Sequence, residues 1–394
     1  MRPSYFPNIV FVSKDAKDDA MTKRILERLD GVQVVPLEVS KDPITELNHA
    51  RLNNARNKPL SEQFTIGKRS LLLTRHKGSW LKGCPGTSDH VCCNLFIVNP
   101  GEGCPLDCTY CYLQSYLSRN PTLKIYTNPG DLISEIEEKI KAQPNRLFRV
   151  GTGEVIDSLV WDELTDLSLE LVPFFGRLPN GMLELKTKTS CVKNLLSMNE
   201  NVHKGKTVVS WSVNAQQVTE SDEAFTASLD ERIAAAKAVV SLGYKVGFHF
   251  DPMIYFEGYQ DAYRETVHKI FSNISPANIA WVSISTLRYR PEMQKVMIER
   301  FPESQIPFGE QFLASDQKLR YIQPLRLKLV QFVWDEIKSF GKDIPVYMCM
   351  ESAAAWRTVA GGSPVSGSEL VQIFSRNGKT KAGLGEVQPL QVIG

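Results

Sequence analysis

The stretch Cys104-Pro-Leu-Asp-Cys108-Thr-Tyr110-Cys111-Tyr112 decides how the rest of this chain is read. It packs three cysteines into one tight loop. Each iron of a four-iron cluster takes one thiolate, so three thiolates leave one iron without a protein ligand. An open iron can bind a small chelating molecule and pass it an electron. Zinc competes for the same residues, but structural zinc takes four ligands, often as two separated pairs. Cys84, Cys92 and Cys93 lie just upstream and offer a fourth ligand, for zinc or for a closed electron-transfer cluster. Spacing alone leaves these readings open.

The 394 residues suffice for two or three domains, or for one barrel with extensions. A net charge of +2 says little about partners. Local charge says more. Between residues 51 and 82, Arg51, Arg56, Lys58, Lys68, Arg69, Arg75, Lys77 and Lys82 stand against Glu62 alone. Such a run is either a solvated face or a surface for a polyanion such as nucleic acid. The start shows no signal peptide, and no run reaches the ~20 apolar residues that span a bilayer, so no membrane partner is expected. Eight cysteines in such a chain argue for metal or redox chemistry over disulfides, with the cytoplasm as the expected compartment.

Residues 1–92 read as a small α/β domain, with strands at 9–12, 32–35 and 71–74 and a helix at 21–29. Residues 93–290 alternate strand and helix signals. Apolar runs at 95–98, 147–150, 182–186, 208–213, 245–250 and 279–285 predict six strands. Leu132, Ile136 and Ile140 mark one intervening helix; Ser228 and Glu231 form a capping box for another, which Gly243 closes. Strands separated by helices predict parallel βαβ units with right-handed crossovers. Such a series closes fully or partly into a barrel, with function at the carboxyl ends of the strands. Residues 291–394 read as a helical, loop-rich C-terminal extension.

With Leu113 and Gln114 after Tyr112, the cysteine loop resembles that of the radical S-adenosylmethionine (SAM) superfamily, and within it the spore photoproduct lyase family. The likeness runs over roughly residues 60–330. It includes Gly67-Lys68-Arg69, Lys188, Ser212-Val213-Asn214, the 247–252 segment, Arg300-Phe301-Pro302, Arg320-Tyr321 and Pro324. The resemblance implies an α/β fold with a partial (β/α)6 TIM-type barrel. It implies a 4Fe-4S cluster on Cys104, Cys108 and Cys111, whose open iron chelates SAM and cleaves it to a 5′-deoxyadenosyl radical. It further implies a lyase that reverses a methylene-bridged thymine dimer in DNA without excision. The partners would be DNA containing pyrimidine photolesions and a reductant such as flavodoxin or ferredoxin.

On this resemblance, Tyr110 lies against the adenine of SAM, an aromatic face suiting a planar base, with plain packing as the alternative. Tyr112 either packs beneath the cluster or takes part in radical transfer. Gly151-Thr152-Gly153-Glu154 is either a simple turn or a segment whose glycines admit a ligand to the backbone, with Glu154 accepting the methionine ammonium. Lys188 and Ser212 contact the SAM carboxylate. Ser210, Ser212 and Asn214 share one face by the two-residue period; either that face is an outward polar side, or it points into the barrel and a bound polar cofactor partners it, with Asn214 as a further cofactor contact. For His249 and Asp251, a substrate or ribose contact competes with a core role. Arg288, Arg290, Lys318, Arg320 and Tyr321 give the C-terminal half a basic, aromatic character. There the resemblance places a hairpin that wedges into DNA, with Lys318-Leu319-Arg320-Tyr321 as the matching stretch.

One feature of the family pattern is missing. A hydrogen-donating cysteine belongs after the second strand, but residues 149–157 contain none, and Glu154 stands there by its spacing from Cys111. A carboxylate is a poor hydrogen-atom donor. Cys349 or Cys191 substitutes, or Tyr112 donates, or the substrate differs: another lesion, or RNA, a peptide or a small metabolite. A non-catalytic nucleic-acid-binding protein with a structural cluster or zinc is the remaining reading.

Overall fold

In the computed structural model, residues 6–37, 58–86, 90–91, 93–118 and 120–361 are described. From residue 96 onward, short β-branched and aromatic runs alternate with helices. A parallel sheet covered by crossover helices buries its strands on both faces. Accordingly, every position of Thr207–Ser212 and Ile279–Thr286 is buried. The strands Phe96–Ile97, Phe148–Gly151, Gly181–Thr187, Thr207–Ser212, Lys245–Met253, Ile279–Thr286 and Val346–Met348 lie side by side in that order, all parallel. Lys82–Gly83 adds an antiparallel edge beside Phe96–Ile97. The sheet curls into a half-barrel whose flanking chain meets: the Val91 N–H donates to the Glu351 carbonyl over 3.1 Å, and His90 bridges to Ser352.

Six of these strands are the predicted ones. The seventh, Val346–Met348, comes from the stretch expected to be helical and loop-rich. Three buried residues are too few to carry a period. The same stretch supplies Leu319–Arg320 and Phe312–Leu313, which form a small antiparallel sheet with Arg288–Tyr289, and the long helix Gln323–Phe340.

The intervening helices follow their sequence signals. Pro129–Lys141 buries Leu132, Ile136 and Ile140, each worth about 1.5–3 kcal/mol relative to exposure. Leu229–Val240 begins with the Ser228–Glu231 capping box.

The N-terminal sheet has the order Gln33–Leu37, Ile9–Ser13, Ser70–Thr74, Leu123–Tyr126, Gly101–Glu102. Its last two strands come from beyond residue 92, so a boundary there cuts through the sheet. The cysteine loop is therefore an excursion that leaves this sheet at Glu102 and rejoins it at Leu123. Its residue Leu106 is buried in the N-terminal core, while Cys108 and Tyr110 belong to the barrel core. No helix among the described residues is long and apolar enough to cross a membrane.

Candidate active site

The carboxyl ends of successive barrel strands bring the expected residues to one rim. The cysteine loop follows Phe96–Ile97, Glu154 follows Phe148–Gly151, Lys188 follows Gly181–Thr187, Asn214 follows Thr207–Ser212, and Cys349 follows Val346–Met348. Cys108 pairs antiparallel with Glu223, and the Thr109 N–H donates to the Asp222 carbonyl over 2.9 Å. Cys104, Cys108 and Cys111 are free thiols. Burial pushes the Cys104 thiol up to about 12; Asp157 adds to the shift and Lys68 opposes it. Burial also raises Cys108 well above the ordinary thiol range, with Lys188 opposing. The three cysteines lie close enough for Cys104 and Cys111 each to raise Cys108 further. Among the described residues, no three Cys, His, Asp or Glu side chains form a group that would hold a single metal ion. A four-iron cluster spreads its thiolates over separate irons and does not require that convergence.

Lys188 donates to Glu223 Oε1 over 2.7 Å and to the Tyr110 hydroxyl over 3.0 Å, while Arg232 donates to Glu223 Oε2 over 2.6 Å. Tyr110 is buried and donates its hydroxyl to Glu223 as well. Burial alone would raise the Glu223 carboxyl; Lys188 and Arg232 outweigh it and bring the group to about 2.

Of the three polar groups expected on one strand face, two have protein partners. The Ser210 hydroxyl donates to Glu184, which also holds Arg149, His249 and Trp281 inside the barrel. His249 is thus a core histidine, bonded to a carboxylate at 2.8 Å. The Asn214 amide donates to the Pro252 carbonyl, and its oxygen accepts from the Tyr263 hydroxyl. Ser212 keeps its place at the carboxyl end of its strand, its carbonyl accepting from Arg232.

Gly153 is required by packing: an added Cβ would lie 2.9 Å from Ser158 Oγ and 3.0 Å from the Lys186 carbonyl oxygen. Gly151 meets only ordinary contacts, with Leu95. Burial raises the Glu154 carboxyl, with Asn99, Lys186 and Lys82 opposing. Tyr112, 46 % exposed, donates its hydroxyl to the Glu154 carbonyl over 2.5 Å. Asp157 holds this loop to its neighbour by accepting from the N–H groups of Leu159, Val160 and Lys188 and from the Thr187 hydroxyl.

Cys349 is half-buried at the barrel mouth, its N–H donating to Ile284 and its carbonyl accepting from Ser285. Burial and Asp251 push its thiol up, against Arg288; Cys93 and Cys84 lie near enough to add to the shift. Cys191 packs at the edge of the barrel core. Cys92 lies outside the described residues.

The residues expected to contact nucleic acid all have partners within the protein. Arg320 is 3 % and Tyr321 4 % exposed. Arg320 pairs with Asp316 and approaches Glu351 at 3.8 Å, and the Tyr321 hydroxyl accepts from the Tyr255 N–H. Lys318 lies 3.7 Å from Asp316, and Arg288 lies 3.2 Å from Asp251. Lys318 and Arg320 thus share Asp316, and Arg288 and Arg320 tie the small sheet to the barrel rim. The side chains it presents outward are Phe312 and Leu313, 54 % and 57 % exposed. Four cations of the basic run in the N-terminal half have acidic partners: Lys58 with Glu62, Lys68 with Asp107, Arg75 with Asp19 and Lys77 with Asp15. Arg51 and Arg56 lie outside the described residues.

Sequence reasoning gave no role to Glu223, Arg232, Asp157 or Glu184. Only Glu184 carries a legible signal, an acid between Leu183 and Leu185 in an apolar strand.

A sequence model described as spore photoproduct lyase matches residues 5–325. The spore photoproduct lyase of Geobacillus sp. (strain Y412MC61) is 28% identical over 217 residues, 55% of this chain and 63% of that protein, so the match spans less than two thirds of that relative. The spore photoproduct lyase of Bacillus subtilis (strain 168) is 22% identical over 79% of this chain and 87% of its own. A spore photoproduct lyase mutant solved with bound AdoMet and dinucleoside spore photoproduct shares the fold, with a TM-score of 0.75 and 21% identity over 87% of this chain and 98% of its own. The half-barrel, the cysteine loop at its rim and the matched family model together establish that this chain belongs to the spore photoproduct lyase family of radical SAM enzymes.

Proposed function

We propose that the chain is a radical SAM lyase that reverses a pyrimidine photolesion in DNA. The observation that carries this reading is the single loop of three free thiols at the barrel rim, tied through Cys108–Glu223 to Lys188. The donor set fits a 4Fe-4S cluster, and Lys188 and Glu154 offer a cation and a carboxylate for the two ends of an amino acid such as the methionine part of SAM. When bound, the cluster and SAM supply a carbon-centred radical able to take a hydrogen atom from the lesion. The protein's part is to bind, orient and shield. Lys188 is held by Glu223 and Tyr110, Glu154 by the Tyr112 bridge. A reductant such as flavodoxin or ferredoxin provides the electron, and a reducing compartment such as the cytoplasm suits free thiols and an iron–sulfur cluster.

Cys349 is the hydrogen-atom donor in this reading. A donor must keep its hydrogen, and the raised Cys349 thiol remains protonated at neutral pH. The S–H hydrogen passes to the product carbon; one electron from the external reductant and one proton restore the thiol. On the substrate side, Phe312 and Leu313 supply the apolar wedge that enters a distorted base step.

A second reading, a radical SAM enzyme acting on RNA, a peptide or a small metabolite, is favoured by one observation: Glu154 in place of the family's cysteine. Incubating reconstituted enzyme, SAM and reductant with irradiated DNA, then quantifying each photoproduct chromatographically, separates the two. Loss of a pyrimidine dimer supports DNA repair; unchanged lesions alongside SAM cleavage support the alternative.

A further inference from the structure

The cysteine loop is held from two sides by cations that the site described above does not use. Lys68 ends the helix Leu60–Lys68; its buried amine donates to the Cys104 carbonyl over 2.9 Å and to the Leu106 carbonyl over 2.5 Å, and lies 3.2 Å from Asp107. Arg300 ends the helix Pro291–Arg300; it donates to both oxygens of Asp107, at 3.0 and 2.8 Å, and to the Gln114 side-chain oxygen. Gln114 in turn donates to the Cys108 and Thr109 carbonyls, at 3.2 and 2.6 Å. The carbonyls of Cys104, Leu106, Cys108 and Thr109 are thus engaged by a frame that ends in these two cations. The two helices are themselves joined, the Leu60 N–H donating to Glu299 over 2.9 Å.

The frame's charge is unbalanced. Lys68 and Arg300 share one carboxylate, and Arg69 stands near the same Asp107. Arg300, with its side chain 3 % exposed, also carries a buried Nε without a hydrogen-bond partner. A surplus buried cation is costly unless an anion compensates it. A cluster held by three thiolates on this loop is such an anion, and reduction adds one more negative charge. We propose that Lys68 and Arg300 are positioning residues of the cluster loop, and that their surplus positive charge over Asp107 favours the reduced cluster. This rests on the cluster reading given above.

The test is an electron-paramagnetic-resonance redox titration of anaerobically reconstituted holoprotein, comparing wild type with Lys68→Met, Lys68→Arg and Asp107→Asn. Lys68→Met should lower the ratio of reduced to oxidised cluster at a fixed potential about tenfold, a midpoint lower by about 59 mV. Lys68→Arg should leave the ratio within about threefold. Asp107→Asn should raise it, because the frame then carries more positive charge. Mere loosening of the loop would move both charge-changing variants the same way, and that result, or no movement in either, overturns the proposal. If Lys68→Met takes up too little iron to titrate, Asp107→Asn decides: a rise upholds the proposal and no rise overturns it. A wild type that holds no reducible cluster fails the underlying reading; a wild-type cluster with unmoved variants fails this one alone.

Discussion

Lys188 Nζ lies 2.7 Å from Glu223 Oε1, and through that contact the lysine expected to meet the cofactor is fixed to the strand that pairs with Cys108. The same carboxylate takes Arg232 and Tyr110. Buried Arg232 and half-buried Lys188 on one acid leave a positive surplus at the rim. A ligand carboxylate complements that surplus. The arrangement therefore combines two jobs, anchoring the thiol loop and presenting a lysine.

Glu223→Gln is expected to destabilise the protein by about 3–5 kcal/mol, chiefly because it leaves the buried Arg232 without its anion. Urea denaturation of the unloaded protein measures it. The pH dependence has a definite sign. The folded-state carboxyl is depressed from 4.5 to about 2, so its contribution is present above pH 4.5 and fades as pH falls toward 2. The contribution is on the order of 3 kcal/mol. Acid unfolding between pH 4.5 and 2 should be shallower in Glu223→Gln than in wild type.

Lys188→Met should weaken SAM binding by about 10–100-fold, the worth of one charge-assisted contact of about 1.5–3 kcal/mol. Equilibrium binding to the reconstituted protein checks it. Unchanged affinity would assign Lys188 to Glu223 alone.

Phe312→Ala is expected to lower affinity for irradiated duplex by about 1–3 kcal/mol, the range for an aromatic stacked on a base. The salt dependence of binding should stay unchanged, because no phosphate contact is removed. Fluorescence anisotropy over a salt series reads both quantities. Arg320→Ala, by contrast, should lower stability first, since its side chain is buried on Asp316.

Repair in deuterated water should place one deuterium in the product thymine methyl group, because a thiol hydrogen exchanges with solvent and a carbon-bound one does not. Cys349→Ala should abolish that label and lower repair at least tenfold while leaving SAM cleavage measurable. Mass spectrometry of the product distinguishes Cys349 from an unexchanged donor.

The barrel was legible because buried parallel strands write themselves as continuous apolar runs, as 208–213 and 279–285 do. Val346–Met348 escaped because three residues carry no period. The placing of the cysteine loop after the first barrel strand and of Lys188 at the end of Gly181–Thr187 was legible from the same strand signals. Glu223 was not: it sits in an exposed-looking Ser-Asp-Glu run, and only the antiparallel pairing with Cys108 turns it inward. Arg320 and Tyr321 misled for the converse reason. Residue type suggested DNA, while Asp316, four residues earlier, and Glu351, brought in by the fold, pair with the arginine. Likewise the basic run after residue 51 looked like a polyanion surface, yet its acidic partners Asp15, Asp19 and Asp107 lie elsewhere in the chain.

The most direct test is anaerobic reconstitution with iron and sulfide, followed by reduction in the presence of SAM, with and without irradiated DNA. The account predicts about four irons per chain, a reduced-cluster resonance that changes when SAM is added, and 5′-deoxyadenosine formation that depends on Cys104, Cys108 and Cys111. One bound zinc and no iron, or a cluster indifferent to SAM, would contradict it.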